Sequence, residues 1–183
     1  MSSVEDRTAL ELLDFWVGAG PERWFTRSDA FDTACETYVE LWERAKGGGC
    51  DAWAATAAGN LALIVLLDQI PRNVFRGEAR QYTTDTAALG WARFAVERGH
   101  DLSQGWPVRN FFYLPFQHAE DMEAQDEGLA LYRRSGQQEF YYYQLVHADA
   151  IRRFGRFPHR NAMLGRDTTE AERAYLDSGG FAN

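Results

Sequence analysis

Apolar positions recur along this chain at helical intervals, and no segment shows the strict alternation of a strand. After Ser28, the residues Phe31, Cys35, Tyr38, Trp42 and Ala45 follow one another at steps of four and three, one stripe of an α-helix. Ser28 or Asp29 caps its start and the glycines at 47–49 stop it. A second helix is expected over residues 51–67, so apolar at its end (LALIVLL) that it belongs at the centre of the core. A shorter helix over 4–16 precedes both, with Phe15, Trp16, Trp24 and Phe25 packing around its end.

Beyond Leu67 the pattern breaks. Pro71 disfavours helix at Ile70, so a long loop is expected until Asp85 starts a helix that Gly99 ends. Residues 109–134 read as helix on both sides of a kink or boundary at Pro115, and a further helix runs over 137–154 up to Gly155 and Pro158. Thr169 and Glu172 form the signature of a capping box for a short last helix. The expectation is an all-α chain of about seven helices in antiparallel succession, one domain over residues 1–183. No self-similarity at the ~34-residue period of tetratricopeptide repeats is visible.

Composition agrees and narrows the function. With 45% hydrophobic and 14% aromatic residues the chain can bury a core, and the net charge of −8 speaks against nucleic acid or an anionic membrane as partner. Cys35 and Cys50 have no metal-ligand spacing and read as reduced, unreactive thiols. The start, MSSVEDRTALELLDFW, is acidic where a secretory leader is basic, and no run approaches ~18 apolar residues, so a cytoplasmic protein is expected.

Chemistry gathers at the helix breaks. In LDQIPRNVFRG, Asp68 is expected to pair with Arg72 or Arg76 and pin the loop; alternatively Arg72 and Arg76, with Asn73, present forks to a carboxylate or phosphate. In FQHAEDMEAQ, a continuous helix puts His118, Asp121 and Gln125 on one face within about 60°, making His118 and Asp121 a base with its orienter. In HADAIRRFGRFPHRN, Asp149 can pair with Arg152 or Arg153, leaving Arg156, His159 and Arg160 beside Asn161 as an anion site or as caps on exposed carbonyls. Neither HExxH nor a di-iron spacing occurs; a metal site would have to combine His118, Asp121 and His147 or His159. GxSxG and Gly-rich phosphate loops are also missing, so no cofactor is indicated.

These three segments, with LDFWVGAGPERWF near the start and a threonine-capped final helix, resemble the bacterial domain of unknown function 924 family from about residue 10 to the end. The resemblance implies a helical fold similar to tetratricopeptide-like superhelices and no established activity. It places Asp68, Gln69, Arg72, Asn73, Arg76, His118, Glu120, Asp121, Gln125, His147, Arg156, His159, Arg160 and Asn161 at family motif positions. Ala119 stands where the family usually has Ser, which removes any hydroxyl nucleophile there, and Ala148 stands where relatives look basic. The expected function is binding of a small anionic metabolite, or acid–base chemistry on one, in a cleft formed by all three segments. Arg72, Arg76, Arg156 and Arg160 would be its anion contacts, and Asn73, Gln125 and Asn161 would line it. His118 or His159 would be its proton-transfer group, with Asp121 orienting His118. The alternatives are a tetratricopeptide-like module for a peptide or protein partner, and a metal-dependent enzyme.

Overall fold

The computed structural model describes residues 4–180, and among them every regular element is helical. The chain divides into two compact units, Met1–Pro115 and Phe116–Asn183.

In the first unit, α1 (Val4–Ala19) buries Ala9, Leu12, Leu13 and Trp16 on one stripe. The single turn α2 (Pro21–Trp24) returns Trp24 so that its indole N–H donates to the Trp16 carbonyl at 2.6 Å. Next, α3 (Asp29–Cys35) starts at Ser28, whose hydroxyl accepts from the Phe31 N–H, and a 3-10 turn joins it to α4 (Val39–Lys46). Phe31, Cys35, Trp42 and Ala45 are buried as the spacing predicts, and burial pushes the Cys35 thiol up to about 12.

The central helix departs from expectation at both ends. Residues Asp51–Ala55 form a 3-10 turn, Thr56 is extended, and α5 (Ala57–Ile64) begins only there, with the Thr56 hydroxyl accepting from the Gly59 N–H. Asp51 is the weaker start because the Thr56 side chain supplies the capping oxygen. At the other end the helix does not stop at Leu67. It widens into a π-turn, Val65–Gln69, and continues as α6 (Ile70–Val74). The Ile70 N–H reaches back to the Val65 carbonyl, and this wider turn makes room for the Pro71 ring that a regular helix would exclude. The expected long loop is therefore shorter. The buried run Leu61–Leu67 packs through α5 against α1 and α7 (Asp85–Arg98), which ends at Gly99 in the left-handed region (φ 70°).

A short helix, α8 (Leu114–His118), carries the chain into the second unit. There α9 (Met122–Ser135) and α10 (Gln138–Phe154) form a hairpin through Gly136 (φ 72°). After a loop containing the 3-10 turn Pro158–Arg160, α11 (Glu170–Asp177) starts with the expected Thr169–Glu172 capping box. Ala150, Ile151, Phe157 and Tyr175 make a buried cluster under this loop, with Met122, Phe154 and Leu176 against it. No helix among the described residues is long and apolar enough to cross a membrane.

Candidate functional site

The segment that carries His118 is not one helix. Backbone helicity ends at His118, and Asp121 is extended (φ −146°, ψ 127°) with its carboxylate accepting from the Ala124 N–H at 2.9 Å. The helical face expected to align His118, Asp121 and Gln125 therefore does not exist: Asp121 caps α9. Gln125 explains the break. It is fully buried, and its amide nitrogen lies 3.1, 3.0 and 2.8 Å from the carbonyl oxygens of Phe116, Gln117 and Ala119. Its own carbonyl accepts from Gln144 Nε2 at 2.5 Å. Those carbonyls are the ones a terminating helix leaves unsatisfied, and Gln125 meets them from the next helix. It holds the turn that presents Gln117 and His118.

Two carboxylates fix the loop after α10. Glu120 accepts from both Arg166 Nη atoms, at 2.7 and 2.9 Å, and from the Phe157 N–H at 2.8 Å. Burial opposes ionisation of Glu120, yet these bonds outweigh it and hold the carboxyl below its ordinary range. Glu172 accepts from Arg156 Nε at 2.6 Å and Nη2 at 3.0 Å, from the Thr169 N–H at 2.8 Å and from Asn161 Nδ2 at 3.3 Å. The Arg156 bonds, against the cost of burial, bring its carboxyl down to about 2. Arg156 also donates to the Asp167 carbonyl at 2.8 Å, so this guanidinium ties the loop to α11. Asn161 is wholly buried in the same network. The Arg153–Asp149 pair at 3.6 Å is the ordinary helix-surface pair expected of α10.

Because the Glu172 carboxyl lies below its ordinary 4.5, its contribution is complete above that pH and is lost as pH falls through about 2. Glu172→Gln is accordingly expected to melt several degrees below wild type at pH 7, the gap closing toward pH 2. A constant gap across that range would show that the charge is not what stabilises the loop.

Inside this frame stands Phe157, itself buried, with His147 edge-on at 5.6 Å, His159 tilted at 5.6 Å and the Arg160 guanidinium over its ring at 4.5 Å. Arg160 also donates to the His118 carbonyl at 3.0 Å, bringing the turn after α8 to the same place. His147 Nδ1 lies 2.7 Å from the Tyr143 carbonyl, to which an Nδ1–H would donate. Gln117 Nε2 lies 3.0 Å from Nδ1 and 3.4 Å from Nε2 of the same ring. Desolvation drives the His147 imidazole down to about 3, helped by the fields of His118, Arg160 and His159 and opposed by the Tyr143 carbonyl.

The first polar segment lies in the other unit, where its arginines find carboxylates other than the one expected. Arg72 pairs with Asp85 at 2.8 Å, donates to the Gln81 carbonyl and lies over the Tyr82 ring. Arg76 forks onto Asp32, both bonds 2.9 Å, and touches Asn73 Oδ1 at 3.3 Å, while Asn73 Nδ2 donates to the Gln69 carbonyl. Asp68 is fully buried and accepts from the Gln69 amide. A groove of about 280 Å³ in that unit, lined by Phe15, Ala19, Arg23, Ser28 and Phe31 among others, contains none of these residues. Among the described residues, no three His, Cys, Asp or Glu side chains are grouped so as to hold a metal ion.

Gln117, Phe157, Arg166 and Glu172 in this arrangement were not marked as site residues by the sequence. Gln117, Phe157 and Arg166 sit inside the recognised segments, but only tertiary contacts distinguish them.

The bacterial protein of unknown function (DUF924) family matches over residues 12–180, most of the chain. The chain belongs to the DUF924 family. A solved structure of a protein of unknown function from Agrobacterium tumefaciens is similar at 43% identity and a TM-score of 0.90, covering 94% of this chain and 98% of that one. No curated protein matches. The all-helical class and the expected membership of DUF924 thus hold.

Proposed function

We propose that the second unit binds a small anionic molecule at the group formed by His118, His147, His159 and Arg160. In this reading Arg160 is the anion contact, and His118 and His159 are the proton-transfer groups. The observation that carries it is the gathering of two imidazoles and a guanidinium around the one buried ring of Phe157, in a chain of net charge −8. Cationic and titratable groups held together near a low-dielectric interior favour an anion among them. Arg72, Arg76 and Arg156 leave this role, because carboxylates in their own units engage them. Asp121 and Gln125 support it by shaping the turn that ends at His118.

A thermal-shift panel of carboxylates and phosphates tests the reading, since a ligand at ~100 times its Kd adds about 2.7 kcal/mol of apparent stability. Wild type is expected to gain several degrees with at least one compound. Arg160→Gln is expected to lose that gain and Arg160→Lys to keep part of it, whereas Arg156→Ala melts lower but keeps the full increment. A gain undiminished in Arg160→Gln, or no gain from any compound, overturns the proposal.

A second reading, a tetratricopeptide-like module for a peptide or protein, draws on the exposure of Tyr142, Tyr143 and Leu145 along α10. Large apolar side chains grouped on one exposed helix are a common feature of docking surfaces.

A further inference from the structure

The segment LDFWVGAGPERWF takes no part in the site proposed above, and it builds a groove of its own. In the first unit, the end of α1, the turn α2 and the start of α3 leave a groove of about 280 Å³ between them. Its inner side is aromatic: the buried Phe31 and the half-buried Phe15 stack with ring centroids 5.5 Å apart. Ala19, Ala30 and Ala34 flank these rings with side chains too short to close the space over them. Arg23 and Ser28 supply its polar edge. The Ser28 hydroxyl accepts from the Phe31 N–H at 3.3 Å, which leaves its own hydrogen to donate. Arg23 is exposed and engages no carboxylate among the described residues, whereas Arg72, Arg76 and Arg80 of the same unit each hold one.

Among the described residues that line the groove, Arg23 is the one charged group, a cation in a chain of net charge −8. An apolar body gains by covering the open part of the Phe15 ring, and a guanidinium makes a forked pair of charge-assisted bonds to a carboxylate. We propose that this groove is a second binding site, independent of the one in the second unit, for a small monocarboxylate with an apolar body. The carboxylate sits on Arg23 and the Ser28 hydroxyl, and the body lies against Phe15 and Phe31. Volume sets the size of the guest. Pockets for drug-sized molecules begin at ~300 Å³, so one ring or a short acyl chain fills this one. Glu22 and Asp29, exposed and next in the chain to Arg23 and Ser28, set its charge. A second negative charge on the guest meets their repulsion, which disfavours a phosphate or a dicarboxylate.

The test is calorimetric titration of the full chain at pH 7 with 3-phenylpropionate, an aryl ring joined to one carboxylate. Saturable binding of one molecule per chain is expected. Propionate, which lacks the ring, and 3-phenylpropanamide, which lacks the charge, should each bind at least ~10 times more weakly. Arg23→Gln is expected to cost tenfold or more and Arg23→Lys less, because the ammonium keeps the charge but not the fork. Ala30→Leu adds bulk at an exposed position of the groove and should abolish binding while leaving the fold intact. Arg160→Gln should bind as wild type does, which separates this groove from the site in the second unit. Absence of saturable binding, or equal binding of the amide, overturns the proposal. So does undiminished binding in Arg23→Gln and Ala30→Leu, and a loss confined to Arg160→Gln would assign the compound to the other site.

Discussion

Gly59→Ala is expected to destabilise the protein by about 3 kcal/mol or more, lowering its melting temperature by roughly 10 °C. Alanine is normally the better helix former, so the local preference points the other way. The contact decides it. A Cβ at Gly59 would stand 2.1 Å from the Trp53 carbonyl oxygen and 2.9 Å from its carbon, which are backbone atoms with no rotamer to change. The 3-10 turn Asp51–Ala55 lies directly on the first turn of α5, and Trp53 and Ala54 are buried there. Relief would require moving that turn or breaking the Thr56 cap on the Gly59 N–H. Gly90 supplies the control. It lies mid-helix in α7, exposed, with nothing within 4 Å of where a Cβ would be. Gly90→Ala should therefore stabilise by up to ~1 kcal/mol. Chemical denaturation of the pair checks both signs, and a Gly59→Ala protein as stable as wild type would mean that the turn does not press on α5.

The same helix shows what the sequence could and could not announce. Features set by a few neighbouring residues were legible: the Ser28 cap, the stops at Gly47 and Gly99, the Thr169–Glu172 box and the burial of LALIVLL. Features set by distant partners were not. Pro71 reads as a helix end because the π-turn that accommodates it depends on the packing of a wholly buried segment rather than on local preference. The break between His118 and Asp121 was hidden because Gln125 creates it, by reaching back to three carbonyls, and a periodicity argument counts Gln125 only as one more polar position on a stripe. Asp149 takes Arg153 as its spacing suggested, but other charged residues found partners that spacing did not name. Arg76 takes Asp32 from 44 residues away, Arg72 takes Asp85, and Arg156 takes the very Glu172 that the sequence marked only as a cap. Spacing reveals which face a side chain occupies, and the choice among several carboxylates is made by the fold.

His147 gives a prediction in which the sign of the pH effect carries the argument. A neutral imidazole brought down to about 3 in the folded protein binds no proton at pH 5, whereas the unfolded chain, at the ordinary 6.5, binds one. Stability is therefore full above about pH 6.5 and falls as pH drops toward 3, by up to ~1.4 kcal/mol per pH unit. Between pH 7 and pH 5, above the range where most carboxylates titrate, the loss assigned to this one ring is about 2 kcal/mol. The measurement is a denaturant midpoint series over that interval for wild type and His147→Gln. The variant is expected to lose less stability on acidification, even if it starts lower because its contact with the Tyr143 carbonyl is altered. Comparing slopes rather than absolute stabilities separates the proton from the packing. Parallel slopes would mean that His147 charges readily in the folded state.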